Sequence, residues 1–234
     1  MNPANTPTSR RNLLLGGLAG AAFAAIPDTA VATTSGRKTT PSNTGGHRTT
    51  QIDASDTQIL FAHCQEHLVS SSKTTPPETI RRASRALAEL AKALSMPLTF
   101  AFVPEKTGRA VPIEQLNPYL SSTNQFTRLA ATPFLDQPFT DRLAGYQRKN
   151  LVITGYATEV VIQKTVHDAI VAGYTVYVPV DAVGGMSERT EQAVFGQIET
   201  AGGILTSTWT IIAAIAPDFG NGDGVAAYKI AQTI

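Results

Sequence analysis

The residues able to do chemistry in this chain are few, and the most suggestive sit together as His63, Cys64 and Gln65. A Cys–His pair is the ordinary way to generate a thiolate nucleophile. Consecutive residues at a strand end, however, project to opposite faces. If His63 faces a pocket, Cys64 faces a packed helix, so Cys64 reads as a buried structural thiol. His63 has two readings, a histidine hydrogen-bonded at a strand end or a base or ligand donor in a pocket. His67 completes "HCQEH", a spacing that would pair the two histidines on a metal only if the stretch were helical; it reads instead as strand end and loop, so no metal centre is expected. A second stretch, "GYATEVVIQKTVHDAIVAGY" from Gly155, has the form of a tight turn feeding a helix but carries no nucleophile. His167 falls two turns into that helix and reads as a surface or interhelical residue.

Elements that would position these residues follow from apolar periodicity. "ILFAH" is a short buried strand, and "TPPETIRRASRALAELAKALSM" opens with a helix-entry signal and then sets Ile80, Ala83, Leu87, Leu90 and Leu94 at helical spacing. "PLTFAFV" is strand, "QPFTDRLAGYQRKN" helix, "LVITG" strand, "EVVIQKTVHDAIVAGY" helix, "TVYVPVD" strand, "SERTEQAVFGQIETAG" helix and "GILTST" a last strand. Strands bracketed by helices imply right-handed crossovers: an α/β three-layer sandwich whose mostly parallel sheet is covered on both faces. Ligands then bind at the carboxyl ends of the strands. His63, the stretch 155–158 and the stretch 181–187 are thereby placed on the rim of any site. In "AVGGMSER", Gly184 and Gly185 precede a helix start, either as an anion cradle or as an ordinary strand-to-helix loop.

Composition narrows the partners. The formal net charge of the 234 residues is +1, with no basic stripe or acidic tail, so neither nucleic acid nor an anionic membrane surface is an expected partner. A single cysteine excludes an internal disulfide and a thiol-rich metal site. "SRRNLLLGGLAGAAFAAIPDTAVA" joins paired arginines, a Gly/Ala-rich apolar run and an A-x-A site. Residues 1–32 therefore read as a twin-arginine-type export signal, which makes the chain bacterial and periplasmic or secreted. The apolar run is well short of the ~20 residues a membrane span requires, and no stable span is expected once the signal is removed. Residues 33–55, rich in Thr, Ser and Gly, read as a flexible leader. The folded domain is expected over 56–216. The tail 217–234 is expected as an arm against the domain or a neighbouring subunit; its "DFG" and "DFGNGDG" have neither kinase context nor calcium-loop spacing.

"LVITGYATEVVI", "HDAIVAGYTVYVPVDAVGG" and "ERTEQAVFGQIETAGGILT", in this order and with these gaps, resemble the isochorismatase-like cysteine hydrolases over about Ile59 to Ala216. The resemblance implies hydrolysis of amides, or in one branch a vinyl ether, by an Asp, a Lys and a Cys nucleophile, with no cofactor and a habit of homo-oligomerising. It puts the nucleophile three residues after the Thr of the G-x-x-T turn. Gly155, Tyr156, Ala157 and Thr158 supply the turn, and Val161 takes the nucleophile's place.

The family Asp ends the first strand in a D-x-Q motif. Asp56-Thr57-Gln58 matches as a string, but the strand would then follow it; the favoured register puts His63 at the Asp and Gln65 at the Gln. The family Lys falls in "QFTRLAAT", where Arg128 is the nearest cation and, unlike a tuned lysine, cannot shuttle protons. Gln65, Phe134, Tyr156, Ala157 and Thr158 are the implied ligand-binding positions, with a cis peptide expected adjoining Ala157; Phe134 and Tyr156 could equally be plain core. Three departures at once imply an exported pseudo-hydrolase that binds a small molecule or serves in assembly. The alternative is a diverged hydrolase of amide, ester or vinyl-ether bonds, with His63 as base and Arg128 as oxyanion donor.

Overall fold

The computed structural model describes residues 52–106, 108 and 110–234. Residues 1–32, read above as an export signal, and most of 33–55, read as a leader, lie outside them. The leader's end belongs to the fold: Ile52 is buried, and Asp53 caps a short turn over Ala54–Asp56 by accepting the Asp56 N–H at 3.0 Å.

Along the chain follow β1 (Thr57–Ala62), α1 (Glu66–Val69), α2 (Pro77–Ala93), β2 (Leu98–Phe102), β3 (Gln125–Thr127), α3 (Gln137–Gly145) and β4 (Asn150–Tyr156). A wide π turn at Thr158–Ile162 then leads into α4 (Gln163–Val171). After it come β5 (Thr175–Pro179), β6 (Val183–Gly184), α5 (Glu188–Ala201), β7 (Ile204–Thr206), α6 (Thr208–Ile215) and α7 (Gly222–Ala231). The strands form one sheet in the order β3-β2-β1-β4-β5-β7, with β6 also pairing β4, and every pairing is parallel.

Apolar residues alternate along β1 between two cores. Ile59 and Phe61 join α2, α6 and α7 on one face, while Leu60 and Ala62 join α3, α4 and α5 on the other. This is the three-layer sandwich expected from the alternation of strands and helices. Helix α2 shows why the pattern suffices: Pro77 opens it, Glu78 sits in its first turn, and Ile80, Ala83, Leu87, Leu90 and Ala91 form one buried stripe.

One strand was hidden by composition. Strand β3 is three residues long, too short to show an alternation. The tail lies against the domain: α7 buries Ala227 and Ala231 in the core that α2 and α6 share. Asn221 caps α7, its side chain accepting the Gly224 N–H at 3.3 Å.

Strands β1 and β4 lie side by side and carry the site. Gly155, at φ +130°, pairs with Ala62; a Cβ there would stand 1.8 Å from the Ala62 carbonyl oxygen, so only glycine lets β4 approach β1 at this level.

Candidate functional site

His63 directly follows β1. Its backbone is left-handed, φ +57°, a conformation in which His, Asn and Asp are enriched among non-glycine residues. Its N–H donates to the Ala101 carbonyl at 2.7 Å, and its carbonyl accepts from the Gln65 N–H at 2.7 Å. The turn leaves the imidazole in the wall of a cavity of about 440 Å³ at the carboxyl ends of the strands. Asp56, the competing match, lies at the other end of β1 and accepts the Lys149 N–H at 2.8 Å. His63 and not Asp56 thus stands at the carboxyl end of the first strand.

His63 is 9 % exposed and its imidazole makes no hydrogen bond to any described residue. Burial pushes its pKa down to about 4, so the ring is neutral at neutral pH. Around it stand Tyr156 and Ala157 from the end of β4, Val160 and Val161 from the π turn, and the loop residues Leu68, Val103 and Met186. Leu129, Ala130 and Ala131 close the remaining side. Among the described residues, no carboxylate, thiol, lysine or arginine reaches this wall. Val161 is fully buried and presents an apolar side chain where the resemblance sets the nucleophile.

The Tyr156–Ala157 peptide is cis, where it was expected. Both residues line the cavity. The Tyr156 hydroxyl is 3.5 Å from the Ser71 carbonyl, and burial followed by the Glu159 charge raises its pKa.

The other sequence-named positions are placed elsewhere. Gln65 is buried and its amide is fully engaged: Nε2 donates to the Val103 carbonyl at 3.1 Å and to Glu105 Oε1 at 2.9 Å, while Oε1 accepts the Val103 N–H at 2.8 Å. It holds Val103, part of the wall, and does not itself face the cavity. Thr158 donates its hydroxyl to buried Glu191 at 2.7 Å. Phe134 meets Phe139 and Tyr174 edge-on at 5.6 and 6.4 Å, a core role on the α3–α4 side. Arg128 is bound as backbone to Phe102 and pairs with Asp136 at 3.5 Å; the cavity that His63 lines does not include it.

Cys64 is fully buried. Its thiol lies against the Ser84 and Thr154 hydroxyls, and burial raises its pKa to about 12, far from a usable thiolate. His67 is exposed, 3.4 Å from Glu105, and His167 sits on α4 away from the cavity. No group of three or more His, Cys, Asp or Glu among the described residues is placed to hold a metal.

Of the two glycines, Gly185 does adjoin an anion, one supplied by the chain, whereas Gly184 packs against Ser72 and Ile80. The Glu159 carboxylate accepts from Met186 N–H at 2.9 Å, Ser187 N–H at 3.4 Å and the Thr190 hydroxyl at 2.7 Å. A Cβ on Gly185 would come within 3.0 Å of that carboxylate. Sequence reasoning missed this clamp, although a glutamate in the first turn facing "SERT" was its signal. It also missed Leu68, Val103, Val160 and Met186, because an apolar loop residue carries no chemical signature of its own.

Comparison with known proteins agrees with this architecture. The isochorismatase domain profile matches residues 57–210. The probable hydrolase YcaC of Escherichia coli (strain K12) is 26% identical over 174 residues, 73% of this chain and 83% of that one. The solved structure of the E. coli YcaC gene product, described as an octameric hydrolase of unknown specificity, superposes with a TM-score of 0.71 at 22% identity, covering 78% of this chain and 90% of that one. The MAR1 ribonuclease of Caenorhabditis elegans superposes with a TM-score of 0.70 at 24% identity, covering 78% and 93%. With the profile matched over residues 57–210, well over half of its length, and with the parallel sheet that its solved relatives superpose on, this chain belongs to the isochorismatase domain family.

Proposed function

We propose that this protein is an exported member of the family that has lost the Asp/Lys/Cys thiol mechanism and uses the cavity beside His63 to bind a small molecule. The observation that carries the reading is the makeup of the cavity wall, where one neutral imidazole stands among largely apolar groups and Val161 lines the position at which the resemblance puts the nucleophile. A valine has no proton to lose and no lone pair with which to attack. The nearest thiol, Cys64, is on the opposite core, and burial keeps it protonated. The decisive test is a panel of amide, ester and vinyl-ether substrates presented to the purified protein. Folded protein without turnover, in which a small molecule perturbs the His63 resonances, supports the reading; turnover overturns it.

A second reading is supported by the same free imidazole in an open cavity: His63 activates water directly. A base with a pKa near 4 is weak at neutral pH, because general-base efficiency is greatest when the pKa lies near the working pH. Arg128, the oxyanion donor that reading invokes, is paired with Asp136. Turnover that disappears in His63→Asn would establish it.

Export and self-association complete the proposal. Replacing Arg10 and Arg11 with lysines is expected to retain the protein in the cytoplasm of a twin-arginine-competent bacterium, read by cell fractionation. No helix among the described residues is long and apolar enough to cross a membrane. A homo-oligomer is expected, as the E. coli YcaC structure is octameric, and light scattering after size-exclusion chromatography measures it.

A further inference from the structure

Three features of the cavity constrain what it holds. First, the His63 imidazole faces the space and makes no hydrogen bond to a described residue, while the other titratable side chain of the wall, Tyr156, holds its hydroxyl 3.5 Å from the Ser71 carbonyl. A ligand atom that donates to or accepts from the ring there gains a hydrogen bond that the rest of the wall, largely apolar, does not offer. Second, no charged side chain among the described residues lines the wall, so nothing there offsets the desolvation of a ligand charge. Third, the mouth is an apolar collar: Leu129 is 86 % exposed, Met186 53 % and Val160 43 %.

We infer that the cavity selects a small uncharged molecule with an apolar body and one hydroxyl or amide group directed at His63, and rejects carboxylates and ammonium ions. The inference rests on the binding reading proposed above. Neutral imidazole offers one acceptor nitrogen and one N–H donor, so a hydroxyl or primary amide, which both donates and accepts, suits either tautomer. The low pKa of His63 agrees: the ring stays neutral, and a carboxylate would have to enter without a positive partner. The cavity, at about 440 Å³, is toward the small end of the roughly 300–1,000 Å³ that ligand sites occupy. That fits a single ring or a short chain.

Four probes sharing one ring separate the contributions: toluene, benzyl alcohol, benzoate and benzylammonium, with dissociation constants measured by NMR titration at neutral pH. Benzyl alcohol is expected to bind roughly tenfold tighter than toluene, the worth of one well-placed hydrogen bond. Benzoate and benzylammonium are expected to bind at least about a hundredfold more weakly than benzyl alcohol, since each buries an unpaired charge. In His63→Gly, whose backbone suits φ +57°, the preference of the alcohol over toluene disappears while toluene still binds. His63→Asn, also tolerant of that backbone, retains part of the preference and guards against misfolding of the glycine variant. Benzoate or benzylammonium binding tightest overturns the selectivity and leaves the binding reading standing. An alcohol preference that survives in His63→Gly overturns the role of His63. If none of the four binds, the selectivity and the binding reading fall together.

Discussion

Two polar groups border Met186, and they are treated in opposite ways. The Glu159 carboxylate, on the π turn, is saturated by two backbone N–H groups and a threonine hydroxyl. The His63 imidazole, at the end of β1, is more deeply buried and has no partner among the described residues. The saturated group is structural, tying the start of the α4 segment to the loop before α5. The unsatisfied one is where a ligand has something to gain. Residue type would have suggested the reverse, since a glutamate at a helix start beside a glycine pair looks more catalytic than a histidine among valines.

The most severe way to break the comparison is to break the strand contact beneath both groups. Gly155→Ala forces a Cβ into the Ala62 carbonyl and is expected to cost more than about 4 kcal/mol, seen as loss of soluble folded protein or collapse of the urea midpoint.

Next in size is the response to acid. The His63 pKa is lower in the fold than the ordinary value of 6.5, so the unfolded chain takes up a proton first. His63 therefore costs the fold nothing above pH ~6.5, and stability is lost progressively as pH falls toward ~4, by about 3 kcal/mol in all. Urea unfolding across that window should show the loss in the wild type. The difference between wild type and His63→Asn isolates it from carboxylates such as Glu159, whose lowered pKa places their own loss at more acid pH.

The clamp itself comes third. Glu159→Ala strands the Met186 and Ser187 N–H groups and should cost about 1–3 kcal/mol by thermal or chemical unfolding. Substituting the nucleophile's place is milder: Val161→Cys should cost less than about 1.5 kcal/mol and gain no amide turnover, because no carboxylate or lysine among the described residues lines the cavity. A thioester trapped by mass spectrometry in that variant would show that His63 can still serve as a base. Smallest of all, Arg128→Ala removes a partly exposed pair with Asp136, is expected to cost less than about 1 kcal/mol, and should leave ligand binding unchanged.

The sheet was legible in the chain because its strands are buried on both faces and read as continuous apolar runs between helical periods. "LVITG" and "TVYVPVD" could scarcely be anything else. His63 at the strand end, the thiol of Cys64 turned the other way, and the cis peptide at Ala157 followed from strand alternation and from the family resemblance. Gln65 and Arg128 show the limit of that reasoning. Both were named for what their side chains could do, and both are spent on partners distant in sequence or in a neighbouring turn, Val103 with Glu105 for one and Asp136 for the other.

What the sequence determined by itself was the layered α/β fold, the rim on which a site must lie, and the absence of a thiol from the position where the resemblance puts one. Periodicity and residue identity are local properties, and the chain carries them whatever it packs against. Only the tertiary structure decided that the cavity is largely apolar, that His63 stands in it with no partner among the described residues, and that Gly185 adjoins the chain's own glutamate. Those outcomes depend on which loop side chains meet across the strand ends, and hydrogen-bond satisfaction and desolvation are set by such meetings rather than by any residue alone.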